Sequence, residues 1–225
     1  MLIEQTPKIF RAFFPGVIWQ IPQKEKTVYL TFDDGPVPEI TPFVLELLEK
    51  HAIKATFFCV GGNVCKYPDV FRQIVKAGHQ TGNHTFGHLQ GFKYSTKQYM
   101  EDVEKADTVI KSRLFRPPYG QFRHSQLVKL KEKYEIVLWD VITRDYNRSI
   151  GGEFVLNVVK KYARNGSIIV FHDSIKAEKN LHYALPRAID FLLEEGYKFD
   201  VLNPQSLRKT VELIPSSQES FRKAI

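Results

Sequence analysis

The chain has 225 residues, 43% apolar and 13% aromatic, with a formal charge of +7 from 32 Lys and Arg against 25 Asp and Glu. That composition supports a proper hydrophobic core in one large α/β domain or two small ones. The basic residues are scattered and accompany no zinc-finger, RNA-recognition or basic-zipper pattern, so no nucleic acid is the expected partner.

In chain order, residues 9–21 are fairly apolar, but Arg11, Pro15 and Gln20 interrupt them and no small-x-small cleavage site follows. No stretch approaches the roughly 20 apolar residues of a membrane-spanning helix. The expected setting is therefore cytoplasmic, without a secretion signal. Phe10, Phe13, Phe14 and Trp19 are expected to pack under a barrel, with a peripheral membrane contact as the alternative. Residues 17–21 read as a first short strand and 27–32 as a second, rich in β-branched and aromatic residues. A helix fits 41–51, with Thr41 as cap, Pro42 at its first position and Phe43, Val44, Leu47 and Leu48 as its apolar stripe. The next strand covers 53–60 and contains Cys59, a small buried hydrophobe in that setting. Gly61-Gly62 breaks it. Cys65 follows at a C-x5-C spacing, which is no known metal spacing and implies no disulfide framework. Residues 69–77 form a second helix ended by Gly78, and 78–84 hold a short strand and its exit. Ser95 opens a helix to about residue 112, with Gln98 completing a capping box. A short strand and turn cover 115–119, a helix 125–133 and a strand 135–141. A polar loop through Arg144 and Asp145 leads to a helix over 152–163. Residues 167–171 are a near-continuous apolar strand, as burial on both faces requires. A helix over 183–195, a strand over 198–202 and a helix over 204–213 follow, and the polar residues 214–225 are expected to fray. The alternation predicts a parallel sheet or barrel, in a single domain spanning 1–225 with its core at about 17–213.

Several stretches carry chemistry. Thr31-Phe32-Asp33-Asp34-Gly35-Pro36 ends the second strand with two carboxylates and a turn. Neighbouring residues of a regular strand point to opposite faces, but at a strand end entering a glycine turn both can reach one cavity. Two carboxylates so placed raise one another's pKa unless a cation takes up the charge. A metal could hold one and leave the other as a base. Taken alone, Asp-Asp-Gly-Pro is equally an ordinary solvated turn. His84-Thr85-Phe86-Gly87-His88 spaces two imidazoles at i and i+4, which share a face on a helix and can bind one divalent ion. Asp34 would make a set of two histidines and one carboxylate, leaving positions open for water and substrate. In Phe115-Arg116-Pro117-Pro118-Tyr119-Gly120, Arg116 can grip a carboxylate with its planar fork. The prolines stiffen the turn, so the Tyr119 backbone N–H has a set direction and could stabilise an oxyanion. His172, at the exit of the 167–171 strand, suits a general acid; a satisfied core histidine is the plain alternative. Residues 139–146 bring Asp140 and Asp145 to another strand exit, where either could orient Arg116 or His172.

Together and in this order, these stretches resemble the polysaccharide deacetylases of the chitooligosaccharide-deacetylase type, also called carbohydrate esterase family four. The first motif of that family is similar to Thr31-Phe32-Asp33-Asp34-Gly35, the second to His84-Thr85-x-x-His88 and the third to Arg116-Pro117-Pro118-Tyr119. The fourth is partly matched by residues 139–146 and the fifth by 168–172. The resemblance implies an α/β fold, a distorted (β/α) barrel with about seven parallel strands. It implies that Asp34, His84 and His88 hold a divalent metal, zinc first, with nickel or cobalt able to serve. Asp33 would be the general base toward the attacking water, and His172 would protonate the leaving amine. Arg116 would hold the base, and the Tyr119 N–H would bind the oxyanion together with the metal. The implied reaction removes N-acetyl groups from an aminosugar-containing glycan or glycan precursor, which makes an acetylated glycan the expected partner.

The sequence departs from the family in three places. Leu89 follows His88 where proline is usual, Ile142 stands where the fourth motif has an acid, and Tyr146 replaces a tryptophan. The missing acid predicts weakened support for His172, with Asp140 or Asp145 compensating only in part. The competing expectations are an O-acetyl esterase or small-molecule amidase on the same site, and a carbohydrate-binding barrel without turnover. Competent residues at every ligand and acid/base position weigh against the last.

Overall fold

The computed structural model describes residues 4–213; the expected fraying of 214–225 lies outside that range. Among the described residues nine strands form: β1 Val17–Ile18, β2 Thr27–Asp33, β3 Thr56–Cys59, β4 Gln80–Asn83, β5 Leu114–Phe115, β6 Glu135–Val137, β7 Val141–Ile142, β8 Ile168–His172 and β9 Lys198–Phe199. They make one sheet in the order β1-β6-β5-β4-β3-β2-β8-β7, with β9 pairing β2. All these pairings are parallel. The helices are α1 Lys8–Ala12, α2 Thr41–Lys50, α3 Gly61–Lys66, α4 Pro68–Lys76, α5 Thr96–Ile110, α6 His124–Lys131, α7 Gly152–Tyr162, α8 Glu178–Glu194 and α9 Pro204–Leu213.

The central strand β2 is buried along its whole length, and its two faces meet different surroundings. Val28, Leu30 and Phe32 join the large apolar cluster built with α2, α7 and α8. Tyr29 belongs instead to the cluster of Ile18, Phe58, Leu114, Val137 and Ile168. Thr31 and Asp33, two and four residues on, share the face of Tyr29 because strand side chains alternate. That second face is the barrel interior, so the period of β2 itself delivers a carboxylate to the inside of the strand ends.

The expected barrel of about seven parallel strands has more and shorter strands than that. The run 135–141 was expected as one strand but divides at Leu138–Trp139–Asp140 into β6, which pairs β1 and β5, and β7, which pairs β8. A largely apolar run interrupted only by Asp140 does not show that the chain changes neighbours in mid-run. β1 and β7 are the two ends of the sheet path, and the antiparallel bridges Gln20–Ser167 and Gln5–Val141 lie at this seam.

Other expectations are corrected locally. The strand expected over 53–60 is shorter, Thr56–Cys59; Gly61-Gly62 breaks it as expected and opens α3, where a Cβ at Gly61 would stand 2.9 Å from both Phe86 and Ala106. The cap of α2 is Ile40, and Thr41 turns its hydroxyl to Asp173. The Ser95–Gln98 capping box is present. Phe14 and Trp19 pack as expected, Phe14 against Phe122 at 5.4 Å between centroids, whereas Phe10 and Phe13 are 51% and 73% exposed.

Candidate active site

The exits of β2, β4, β5, β7 and β8 converge on a cavity of about 860 Å³. At the end of β2, Asp34 takes a left-handed φ of 81°. That breaks the strand alternation, and Asp33 and Asp34 both line the cavity. Asn63 fixes the bend by donating to Asp34 O at 2.8 Å. Gly35 is required by a close approach: its N donates to Asp173 Oδ1 at 3.1 Å, and a Cβ there would lie 2.0 Å from the same carboxylate.

The two histidines are not on a helix. They leave β4 in a loop in which Thr85 and His88 have φ of 63° and 55°. Side-chain acceptors hold that loop: Asn83 Oδ1 takes Thr85 N, Asp102 Oδ2 takes Phe86 N and Gly87 N, and Thr85 Oγ1 takes Leu89 N. The i, i+4 spacing was thus the right signal for the wrong local geometry. Asp34, His84 and His88 nevertheless bring one ligand atom each within 4.8 Å of one another. Asp34 Oδ1 lies 3.7 Å from His84 Nε2 and 3.0 Å from His88 Nε2.

These residues fit a divalent metal. Bonds of about 2.1 Å at tetrahedral angles put donor atoms about 3.4 Å apart, close to both distances. His84 Nδ1 donates to Arg116 O at 2.7 Å, which fixes the tautomer and leaves the Nε2 lone pair toward Asp34. Burial pushes His84 down to about 4, so its ring is in the neutral form that binds metal. Burial works to raise the Asp34 carboxyl, but the His88 hydrogen bond and the charge of His172 hold it well below the usual carboxylate range.

Asp33 faces a different partner. Arg116 is fully buried, and its Nη1 donates to Asp33 Oδ1 at 2.6 Å and to Thr31 Oγ1 at 2.8 Å. Nε and Nη2 donate to Val137 O and Leu138 O, and the guanidinium lies 4.0 Å from the Phe58 ring centroid. Burial draws the guanidinium below its ordinary value, against the pull of Asp33. Every face of this cation is therefore matched, which a buried charge requires.

His172 ends β8. Its backbone N donates to Asp145 Oδ2 and its Nδ1 to Asp145 Oδ1, both at 2.7 Å. The expected weak support for His172 is not found: burial pulls the imidazole down, but the charge and hydrogen bond of Asp145 outweigh it and raise the group to about 9. Asp140 is not involved, since its carboxylate is taken by Arg11, Arg164 and Ser167. Neither acid orients Arg116, whose carboxylate is Asp33. Tyr146 stands edge-on to His172 with centroids 4.8 Å apart, and Ile142 lines the cavity. Tyr119 adopts φ 60° in the turn after Arg116, with its ring 4.8 Å from that of His88.

Residues missed from the sequence are the supports. Asp173 accepts from Gly35 N and from Thr41 Oγ1, the latter at 2.6 Å, and burial raises it to about 8. Asn180 ties Asp145 O and Asn147 O at 2.9 and 3.1 Å. Thr31 could have been suspected as the polar residue sharing a strand face with Asp33; Asp102 and Asn180 lie on helices without any local signal.

The chain is similar to known proteins over most of its length. The family described as polysaccharide deacetylase matches residues 20–137. A peptidoglycan-N-acetylglucosamine deacetylase of Bacillus cereus is 36% identical over 191 residues, 81% of this chain and 89% of the relative. A chitooligosaccharide deacetylase of Azorhizobium caulinodans is 35% identical over 167 residues, 70% of this chain and 79% of the relative. The solved structure of a peptidoglycan N-acetylglucosamine deacetylase with 4-naphthalen-1-yl-N-oxidanyl-benzamide superimposes with a TM-score of 0.81 at 30% identity, covering 88% of this chain and 95% of that one.

Proposed function

The chain belongs to the polysaccharide deacetylase family, and from that premise we propose how it removes N-acetyl groups from an aminosugar-containing glycan. Asp34, His84 and His88 are the metal ligands, Asp33 the base and His172 the acid. The observation that carries this reading is the meeting, at one cavity, of a three-atom ligand set with two separately supported acid/base groups.

A divalent metal at that set would supply a Lewis acid, polarising the acetyl carbonyl and lowering the pKa of the attacking water. Zinc is proposed first, since two imidazoles and a carboxylate form one of its open catalytic sets; nickel or cobalt are the alternatives. Arg116 occupies Asp33 Oδ1, which leaves Oδ2 to take the water proton. The water oxygen bonds to the carbonyl carbon, and the Tyr119 N–H is the proposed donor to the oxygen that becomes negative. The C–N bond then breaks, acetate leaves, and the sugar nitrogen takes a proton from His172 Nε2, because Nδ1 is committed to Asp145.

The proposal includes a single catalytic unit, because all these residues leave one sheet. It also includes a cytoplasmic setting, which detection of the protein in the envelope fraction of source cells would replace. No helix among the described residues is long and apolar enough to cross a membrane. Of Phe10, Phe13, Phe14 and Trp19, the exposed Phe10 and Phe13 are the residues a peripheral contact would use.

The deciding experiment measures acetate release from N-acetylated chitooligosaccharides, peptidoglycan and O-acetylated glycans, before chelation, after it and after adding zinc back. Chelator-sensitive release from the amides supports the proposal. Release from O-acetyl substrates alone would make the protein an esterase. No release from metal-replete protein would favour the binding barrel.

A further inference from the structure

The segment ahead of β1 takes a course that the chemistry above does not use. Gln5 bridges Val141 in antiparallel sense, and β7 pairs no other named strand but β8 among the described residues. Ile142 N donates to Glu4 O at 2.9 Å, Thr6 N to Asp140 O at 3.3 Å, and Thr6 Oγ1 to Trp139 O at 3.2 Å. The segment therefore lies along the whole stretch that carries the cavity residues Trp139 and Ile142. Its side chain at position 4 reaches further, and Arg144 Nη1 donates to Glu4 Oε1 at 2.7 Å.

Arg144 is a poor residue for its place. Its φ is 61°, a left-handed value that residues with a Cβ adopt rarely and keep only where the surroundings over-determine it. The turn is tied on both sides. Thr143 reaches Val170 O through N and Oγ1, at 3.2 and 2.8 Å, and Asn180 ties Asp145 O. The Arg144 side chain itself has Glu4 as its one ion-pair partner among the described residues. The next residue is Asp145, which holds both the backbone and the ring of His172.

We infer that Glu4 is a positioning residue for the deacetylation. By anchoring Arg144 in the left-handed turn it fixes the direction in which Asp145 presents its carboxylate, and through it the orientation of His172. The inference rests on the reading of His172 as the acid. The side chains of Glu4 and Arg144 are 21% and 16% exposed, so the pair is mostly buried and its loss is read in stability as well as in turnover. Glu4→Gln keeps an amide oxygen in the same place, and its effect is expected on turnover more than on folding.

The test compares wild type, Glu4→Gln, Arg144→Ala and the double variant in the full-length, metal-loaded protein. Glu4→Gln keeps the backbone bond from Ile142, which does not involve the side chain. The expected result is a fall in kcat of roughly tenfold with KM nearly unchanged, since small misplacement of a reacting group is costly. The double variant is expected to be no slower than the slower single, because the residues act as one unit. By NMR, the His172 Nδ1 proton, held by Asp145 in wild type, is expected to shift or broaden in Glu4→Gln. Wild-type kcat and an unmoved signal in Glu4→Gln overturn the inference. So do additive losses in the double variant, or a melting temperature so reduced that the loss of activity merely follows unfolding. Wild-type protein silent on every amide substrate removes the reading of His172 itself, a result separate from an active wild type that does not need Glu4.

Discussion

Asp33 and Asp34 leave the same strand end with different partners, and the difference predicts separable variants. Asp34→Ala removes one of the three proposed ligands and is expected to lower metal content and activity together. Asp33→Asn is expected to keep metal and fold but lose turnover by roughly 10²–10⁴-fold, the usual worth of a positioned base, with little change in substrate affinity. Metal analysis by mass spectrometry and single-turnover rates check both, and an Asp33→Asn protein without metal would reverse the assignment. At His172 the sign of the pH effect follows from its surroundings. The acid works while protonated, and Asp145 raises it to about 9. Asp145→Asn removes the charge that raises it and leaves burial, which lowers it, so the alkaline limb of kcat is expected to move to lower pH. A limb that stays in place in the variant would mean that another group sets it. The identities of these residues were legible in the sequence as ordered motifs. The support of His172 was legible only as a choice between Asp140 and Asp145, expected to be partial because of Ile142, whereas Asp145 takes both its backbone N and its Nδ1.

At the scale of elements, β3 and β4 illustrate a stability effect away from the site. His79, just before β4, is buried, and its Nδ1 accepts from Ala55 N at 3.2 Å. Burial, helped by the Lys54 charge, pushes the imidazole down to about 4 from an ordinary 6.5. Between those values the unfolded chain binds the proton and the folded one does not, so stability is full above pH 6.5 and is lost as pH falls toward 4. His79→Asn keeps an acceptor near the Nδ1 position without the titration. Denaturant midpoints of wild type and variant are expected to converge toward pH 4 and to diverge in slope between pH 6.5 and 4. Parallel curves would show that His79 does not titrate in this window. Among the elements themselves, the long helices were readable from caps and stripes, as in the Ser95 box of α5. Of the two-residue strands, β1, β5 and β9 fall in stretches read as strands, but β7 was not separable from β6, since two residues are too short for any period to register and its partner β8 alone makes it a strand.

At the scale of the molecule, the cavity opens between aromatic Tyr119, Trp139 and Tyr146 on the β5, β6 and β7 exits and Lys66 and Lys176 beyond β3 and β8. With a net charge of +7, extended, partly anionic glycans are the expected preference over single sugars. Rates on acetylated mono-, tri- and pentasaccharides at two salt concentrations test it. Activity is expected to rise with length, and the advantage of anionic substrates to shrink as salt screens the charges. A monosaccharide handled as well as the pentamer would remove the case for an extended groove.

The sequence carried the class of fold, most of its strands and helices, and the residues proposed as metal ligands, base and acid. It could do so because those properties depend on residue type and short-range spacing. Only the tertiary structure decided how the parts meet. It placed His84 and His88 through a loop with two left-handed residues instead of a helix, turned Asp34 beside Asp33 by breaking the strand, and gave Asp145 rather than Asp140 to His172. It also set β6 and β7 beside different neighbours and laid Glu4 against Arg144, 140 residues away in sequence. Each of these outcomes depends on which distant groups satisfy a buried charge or backbone donor, and no local pattern encodes that choice.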